Sequence, residues 1–347
     1  MKTYRVAIAG ATGAVGTEFL SLLASREFPL ESLRLLASER SVGRSLVFRG
    51  RAYPVDLLEP DAFEGIDIAF FSAGGTRTKE FAPDAVRAGA LVVDNSSAYR
   101  MDPNVPLVIP EVNPEDIAKH RGIIANPNCS TIILLMALAP IRALAPVRRV
   151  VVSTYQAASG AGAQAMQELL DQTNDVLKDR PITPNVFPYP IAFNLFSHNT
   201  KIDETGYNEE ERKMINETRK ILHEPNLRLS ATCIRVPVLR AHSESVNIEF
   251  EAGQRPSLSA IREALAKFPG VEVVDNREEN FFPMPIDASG RDEVLVGRIR
   301  EDLSNEDAIE LFLSGDQILK GAALNGIQIA EKWMQMSRTQ EGLSTRE

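Results

Sequence analysis

Short apolar runs alternate with helical patterns through the first 130 residues, and this alternation restricts the fold more than any other feature. The runs are bounded by Gly, Pro, Asn or Ser, as buried strands usually are. They cover residues 5–9, 33–37, 67–72, 91–94, 107–109 and 123–125, with helical patterns between them at 13–25 and 78–88. Because strands separated by helices usually pair in parallel, this rhythm predicts a doubly wound, mostly parallel α/β sheet.

The chain from residue 147 onward has a different pattern. Residues 243–251 alternate apolar and polar side chains, which predicts a strand with one covered face. Helical patterns accompany it at 162–177, 208–222 and 257–267. We therefore expect a second domain of the α+β class.

These patterns also predict the domain boundaries. The first domain is expected to span residues 1–130 and to be joined by a C-terminal helix at 315–336. The second is expected to span 131–314, and a disordered polar tail is expected at 337–347.

Composition excludes several classes of partner. A net charge of −9 over 347 residues argues against nucleic acid or an anionic membrane as a general partner. No run approaches the ~18 apolar residues of a membrane span, and the N-terminus leads directly into a strand rather than a signal peptide. Two cysteines cannot form a disulfide framework or a cysteine-rich zinc site. We expect a cytoplasmic protein without a metal site.

A glycine-rich turn follows the first predicted strand and opens a helix. Its sequence is Gly10-Ala11-Thr12-Gly13-Ala14-Val15-Gly16. Glycines at such a turn let the backbone approach a pyrophosphate, whose charge is stabilised at the helix N-terminus. The spacing is G-x-x-G-x-x-G rather than the commoner G-x-G-x-x-G, but its strand–turn–helix position predicts a Rossmann-type dinucleotide site.

The end of the second strand predicts which dinucleotide binds. Enzymes that use NAD usually present an acid there to the ribose 2′-hydroxyl, whereas a 2′-phosphate requires arginine and hydroxyl groups. Arg40, flanked by Ser38 and Ser41, suits the phosphate of NADP. Glu39 keeps an NAD interpretation open.

Cys129 lies where a cysteine becomes reactive. The block Asn126-Pro127-Asn128-Cys129-Ser130-Thr131 ends a predicted strand and begins an apolar helix, with Asn128 at the N-cap position. The helix dipole and free N–H groups of a first turn stabilise a thiolate and could also hold an oxyanion. Cys233 lies inside an apolar strand pattern and is expected to be a buried structural residue.

Five blocks together resemble the aspartate-β-semialdehyde dehydrogenase family. They are the glycine-rich turn, residues 126–131, Gln156-Ala-Ala-Ser-Gly160, residues 235–242 and Lys320-Gly-Ala-Ala-Leu-Asn325. The resemblance implies a reversible reaction in which NADPH and aspartyl phosphate give aspartate semialdehyde, phosphate and NADP⁺. That step leads to lysine, threonine, methionine and isoleucine. A cysteine thioester suits this chemistry because it divides one exchange into hydride transfer and phosphorolysis.

The family register implies roles for three further side chains. His242 matches the acid/base histidine, Arg235 the α-carboxylate ligand and Gln156 the residue that orients the acyl group. We expect Arg235 and His242 on one strand, with a bend or bulge near Pro237 that brings them to the same side. The other histidines, at positions 120, 198 and 223, are expected to be structural.

Phosphate, amino-group and cofactor contacts follow from the same register. The resemblance implies that Arg100 and Lys213 bind phosphate and that Glu210 binds the substrate amino group. Spacing alone gives Glu210 and Lys213 as a surface ion pair at i, i+3. The register also implies cofactor contacts at Ser159, Gly160 and Gln317, although the family often has Asn at the last position.

Two other functions remain open at this point. N-acetyl-γ-glutamyl-phosphate reductase uses the same thioester chemistry on a related scaffold, but Glu210 suits a free amino group better. A non-catalytic paralogue that binds a partner is disfavoured by the joint presence of Cys129, Gln156, Arg235 and His242. The resemblance further implies a homodimer formed through the second domain, with a tetramer as the alternative.

Overall fold

The computed structural model describes the backbone of residues 2–344 and the side chains of residues 2–338. It divides into two compact units. The first contains the chain up to Asn128 and again from Ala322, and the second contains Cys129–Gly321. The sequence had predicted these divisions near residues 130 and 315. No helix among the described residues is both long and apolar enough to cross a membrane.

The first unit is built on a seven-stranded sheet in the order β3-β4-β2-β1-β5-β6-β7. All pairs are parallel except β3 with β4, which confirms the predicted doubly wound α/β class. The β5 and β6 side chains are all buried, as strands covered on both faces require. The strands are β1 Tyr4–Ala9, β2 Leu30–Ala37, β3 Ser45–Phe48, β4 Arg51–Leu57, β5 Ile68–Phe71, β6 Leu91–Asp94 and β7 Ile123–Ala125.

Two features of this sheet differ from the sequence prediction. The β3–β4 hairpin was not predicted, and the strand predicted at 107–109 is wrong. Leu107 forms only an isolated bridge to Ala125. The Asn113 side chain accepts from the Ile109 N–H and donates to the Leu107 carbonyl, each at 2.9 Å. It therefore occupies backbone groups that strand pairing would need.

The helices of the first unit are α1 Ala14–Ser25, α2 Gly75–Arg87 and the C-terminal α8 Leu324–Ser344. Trp333 of α8 meets Tyr4 edge-on at 6.2 Å. The tail predicted from Ser337 overlaps this helix, which continues to Ser344. The Ser337 hydroxyl bonds back to the Trp333 carbonyl, and the following residues include good helix formers. The last part of that prediction, residues 345–347, lies outside the described residues.

The second unit contains a mixed seven-stranded sheet in the order β12-β13-β14-β11-β8-β10-β9. Its strands are β8 Val147–Gln156, β9 Phe196–Ser197, β10 Arg228–Arg235, β11 His242–Phe250, β12 Val271–Val273, β13 Val294–Glu301 and β14 Ala308–Gly315. Val246, Ile248 and Phe250 are buried and alternate with half-buried polar residues, which confirms the pattern read from the sequence.

The helices of this unit are α3 Cys129–Arg142, α4 Ala163–Leu177, α5 Glu209–Ile221, α6 Leu258–Lys267 and α7 Pro285–Ala288. Three of them agree with the predicted helices to within one residue at each end. Nearly every residue of α3 is buried, as a helix that is apolar all round must be. Its fixed position in the core fixes Cys129, which is its first residue.

Candidate active site

Three neighbouring strands bring Gln156, Arg235 and His242 to one end of the second sheet. Gln156 ends β8 and is opposite Arg235, which ends the parallel strand β10. His242 begins β11, which runs antiparallel to β8 on its other side. All three side chains are at least 95% buried. The prediction that Arg235 and His242 share a strand is wrong, because the chain leaves β10 at Arg235 and returns as β11.

The orientation of the His242 ring determines where it can exchange a proton. Its Nδ1 accepts the Ala157 N–H at 3.0 Å, so the neutral ring carries its proton on Nε2. Nε2 is buried and has no hydrogen-bond partner among the described residues. Burial, and then the charge of Arg235, lowers the pKa of His242 to about 3. The ring is therefore neutral near pH 7 and presents Nε2–H to whatever binds beside it.

At Gly160 the backbone passes close to the ring of His242. A Cβ built there would lie 3.0 Å from Arg235 Nη1 and 3.2 Å from His242 Nε2. The preceding Ser159 is bonded to the Gln317 amide, whose oxygen accepts the Ala241 N–H at 2.9 Å. Gln317 thus connects the turn at Ser159 to the residue before His242. Both ends of its amide serve this positioning.

Glu210 is a buried carboxylate that accepts hydrogen bonds from two side chains. Its Oε1 accepts from Gln156 Nε2 at 3.1 Å and its Oε2 from Lys213 Nζ at 3.0 Å. The ion pair predicted from the i, i+3 spacing is therefore present, but Glu210 is only 4% exposed. It does not belong to a solvated surface. A capping box of Asn208 with Glu211 begins α5 and holds Glu210 in its first turn.

Cys129 lies at the N-terminus of α3, as predicted, and is partly exposed. The first turn of the helix contains no acidic residue that would oppose a thiolate. Gly321 packs against it so closely that an added Cβ would lie 2.9 Å from the Cys129 Cβ. Burial lowers the pKa of Arg235, while the neighbouring Glu210 and Cys129 oppose that shift. Cys129 therefore lies within electrostatic range of the arginine.

One layer deeper on the same face, Cys233 and Glu244 lie on either side of Thr154. Both are fully buried. Burial raises the pKa of the Cys233 thiol, as expected for a buried cysteine in an apolar strand. Burial also raises the pKa of Glu244 well above its usual range.

His198 is the functional candidate that the sequence interpretation missed. It is 7% exposed, and its Nε2 lies 2.8 Å from Arg235 Nη2. The sequence offered no signal for it, because the residue follows an irregular segment rich in Pro and Phe. Only the pairing of β9 with the end of β10 brings it to Arg235.

The glycine-rich turn in the first unit has the geometry of a phosphate-binding loop. Gly10 has φ +89°, and a Cβ on it would lie 2.4 Å from the Ser72 carbonyl oxygen. A Cβ on Gly16 would lie 2.2 Å from the Gly10 oxygen, so neither position accepts a side chain. Helix α1 begins after Gly13 with no side-chain cap and no acid in its first turn. Its N–H groups are therefore suited to an anion such as a pyrophosphate.

The end of β2 adjoins this turn. Thr12 Oγ1 and Ser41 Oγ are hydrogen-bonded at 3.2 Å, which places the serine of the predicted phosphate-selecting segment beside the loop. Arg40 is exposed and Ser38 half-buried. Arg40 therefore has room to take a phosphate at the mouth of the loop, and the residues present fit a phosphorylated ribose.

Arg100 is buried in the first unit rather than exposed. Its Nε donates to the Asn126 carbonyl at 2.9 Å and its Nη2 to the Asn95 carbonyl at 3.0 Å. The Asn126 amide in turn donates to Asn95 and Ala322, and it accepts from Asn325. This network anchors the segment that precedes Cys129.

Two family models match the chain. A semialdehyde dehydrogenase NAD binding domain matches residues 5–120, and a semialdehyde dehydrogenase dimerisation domain matches residues 138–320.

Individual proteins agree with these models. The chain is 55% identical to the aspartate-semialdehyde dehydrogenase of Synechocystis over 94% of its own length and 96% of that protein. It is 43% identical to aspartate semialdehyde dehydrogenase II from Vibrio cholerae, described as complexed with ASA, with a TM-score of 0.93 over 96% and 99% of the two chains. The enzyme from Candida albicans, described with NADP, is 27% identical, with a TM-score of 0.75 over 95% and 98%. The resemblance predicted from the motifs is confirmed, and the chain belongs to the aspartate-semialdehyde dehydrogenase family.

Proposed function

We propose that this protein reductively dephosphorylates L-4-aspartyl phosphate to L-aspartate 4-semialdehyde, reversibly and with NADPH, through a thioester on Cys129. This would place it in the synthesis of lysine, threonine, methionine and isoleucine. The observation that carries the proposal is the buried group of Arg235, Glu210 and His242 within electrostatic range of a cysteine at a helix N-terminus. Together these residues offer a nucleophile, a proton donor and two opposite charges for an amino acid.

The reaction divides into two steps at the acyl carbon. In the first, Cys129 Sγ forms a bond to that carbon while the bond to the phosphate oxygen breaks, and phosphate leaves with the electron pair. The bound nicotinamide supplies the hydride for the second step. The thioester carbon becomes tetrahedral, the C–S bond breaks, and the aldehyde and the Cys129 thiolate are released.

His242 acts on the oxygen of the tetrahedral species. Its Nε2–H is the available donor, because Nδ1 is already held by the Ala157 N–H. A hydrogen bond from Nε2–H stabilises the negative charge that develops on that oxygen. In the opposite direction, the same Nε2–H stabilises the oxyanion that forms when the Cys129 thiolate attacks the aldehyde.

The two charged groups recognise the ends of the amino acid. We assign the substrate α-carboxylate to Arg235, whose planar fork can hold both oxygens, and the ammonium group to Glu210. A buried carboxylate favours a charged ammonium over the neutral amide of an N-acetyl group, which supports the aspartyl over the N-acetylglutamyl substrate. Gln156 orients the acyl group, and Arg100 and Lys213 are assigned to phosphate.

We assign NADP to the first unit. The turn at Gly10–Gly16 would hold the pyrophosphate, with Thr12, Ala14 and Val15 in contact, and Arg40 with Ser38 and Ser41 would hold the 2′-phosphate. The exposed position of Arg40 and the Thr12–Ser41 bond support this choice. Ser159, Gly160 and Gln317 are assigned to the nicotinamide end.

We further propose a homodimer formed through the second unit, which is supported by the description of the matching dimerisation domain. A tetramer and a cytoplasmic location stay predictions from the sequence.

An assay with aspartate semialdehyde, phosphate and NADP⁺ tests the function directly, through the absorbance of the NADPH formed. Cys129→Ala should lower kcat by at least about a thousandfold, since no other group replaces the thiolate. Cys233→Ala is the matched control and should keep kcat within about threefold, because its thiol is buried and stays protonated. A Cys129→Ala enzyme within about tenfold of wild type would refute the thioester.

A further inference from the structure

His198 is held in place by its backbone before its side chain makes any contact. Its N–H donates to the Cys233 carbonyl at 2.8 Å, directly after β9 pairs with the end of β10. This bond fixes the ring beside Arg235, where Nε2 lies 2.8 Å from Nη2. A guanidinium has only donors, so Nε2 must be the acceptor and the ring proton must lie on Nδ1.

The other ring nitrogen continues the chain of bonds toward Glu210. Nδ1 lies 3.2 Å from Thr200 Oγ1, so its proton is donated to that hydroxyl oxygen. The same oxygen accepts the Glu210 N–H at 3.3 Å. A hydroxyl oxygen has two lone pairs, and both are used here. One hydrogen-bonded path therefore connects the guanidinium of Arg235 to the backbone of Glu210.

We propose that His198 is a positioning residue for substrate recognition: it aims the Arg235 guanidinium and, through Thr200, ties it to Glu210. The inference rests on the proposed function, in which these two residues bind the carboxylate and ammonium groups of the substrate. Its consequence is selectivity for an α-amino acid. The path of hydrogen bonds holds the guanidinium and the backbone that carries Glu210 in a fixed relation to one another.

A histidine suits this position because its neutral ring accepts a hydrogen bond from the guanidinium without adding a charge. Burial, and then the Arg235 charge, lowers the pKa of His198 to about 4, so it is uncharged near pH 7. A neutral acceptor orients a guanidinium without cancelling its charge, whereas a carboxylate there would form an ion pair and compete with the substrate. The full positive charge therefore remains for the ligand.

Arg235 also has N–H groups that remain available for a ligand. Nη2 donates to His198 and Nη1 to the Ala157 carbonyl at 3.3 Å, while the face of the ring of Phe187 lies 5.7 Å from Cζ. Its buried Nε has no partner among the described residues. An unpaired N–H on a buried cation is costly unless a ligand completes it. The geometry leaves that place for a carboxylate oxygen.

The test compares three substitutions of His198 in the purified full-length enzyme. His198→Leu removes the acceptor and should raise the KM for aspartate semialdehyde by about ten- to a hundredfold, the range for a lost bond to a charged group. His198→Gln keeps a neutral acceptor and should stay within about threefold. His198→Glu matches Gln in size but adds a charge, and should raise KM at least as much as Leu.

Two further measurements distinguish a role of His198 in positioning Arg235 from a general loss of structure. The KM values for NADP⁺ and phosphate should change by less than about twofold in all three variants. With 3-aminopropanal, which has no α-carboxylate, His198→Leu and wild type should have equal kcat/KM. If His198→Leu does not fold, the matched Gln and Glu pair still decides the question. Equal semialdehyde KM values for Gln and Glu, or an unchanged KM for Leu, would overturn the inference.

The inference and the proposed function fail in different ways. A wild-type enzyme that does not turn over aspartate semialdehyde refutes the proposed function. A wild-type enzyme that does so, with variants that leave its KM unchanged, refutes only the role of His198.

Discussion

Replacing Gly160 by Ala tests how tightly the catalytic groups are held. The added methyl carbon would lie 3.0 Å from Arg235 Nη1, 3.1 Å from His242 Cε1 and 3.2 Å from His242 Nε2. Comfortable contacts between such atoms are about 3.5–4.0 Å, so both side chains must retreat by about half an ångström. Gly160 does not have a positive φ, so alanine introduces no backbone strain there.

The effect of this displacement on the rate can be estimated, because the Arg235 and His242 side chains are both hydrogen-bonded to Ala157. Its carbonyl holds Arg235 Nη1 at 3.3 Å, and its N–H holds His242 Nδ1 at 3.0 Å. A displacement of 1 Å at a reacting group costs about a hundredfold in rate, so half of that costs about tenfold for each group. We therefore expect kcat/KM for the semialdehyde to fall by about ten- to a hundredfold. The free energy of unfolding should change by less than about 1 kcal/mol, because alanine also reduces the entropy of the unfolded chain.

Steady-state rates at varied semialdehyde concentration, together with urea unfolding, measure both quantities. The matched control is Ala163→Ser, which adds one atom at an exposed position of the same segment and should keep kcat/KM within about twofold. A folded Gly160→Ala enzyme with wild-type kcat and KM would refute the claim that this backbone approach sets the positions of Arg235 and His242.

The other predictions concern the cofactor and acid stability. Arg40→Ala should raise the KM for NADP⁺ at least about tenfold more than the KM for NAD⁺, because only NADP⁺ has the 2′-phosphate. Equal changes in the two KM values would contradict the role of Arg40 and favour Glu39 as the residue that selects the cofactor. Unfolded histidine titrates near pH 6.5, whereas burial holds the pKa of His198 at about 4 and that of His242 at about 3. The unfolded state therefore binds protons first, and stability falls as pH drops below about 6.5. His198 accounts for about 2 kcal/mol of this loss between about pH 7 and pH 5, so urea unfolding of His198→Gln should show a smaller acid loss than wild type, and equal losses would contradict the assignment.

Features that depend on neighbours in the chain could be predicted from the sequence. The glycine-rich turn, the parallel sheet and the placement of Cys129 at the start of α3 follow from periodicity, turn residues and helix-start signals within about twenty residues. The same holds for the i, i+3 pair of Glu210 and Lys213. Local backbone preferences and side-chain spacing encode such features, and the fold preserves them.

Features that depend on strand pairing could be decided only by the tertiary structure. Arg235 and His242 are seven positions apart, yet β8 lies between their strands and supplies Gln156 and the Ala157 backbone that orients them. His198 reaches Arg235 only because β9 pairs with β10. The burial of Glu210 and the acceptor role of each histidine likewise depend on what surrounds them. The sequence therefore determined which chemical groups are available, while non-local pairing and exclusion of water determined their charge, orientation and partners, because hydrogen bonds and desolvation act between residues that are distant in the chain.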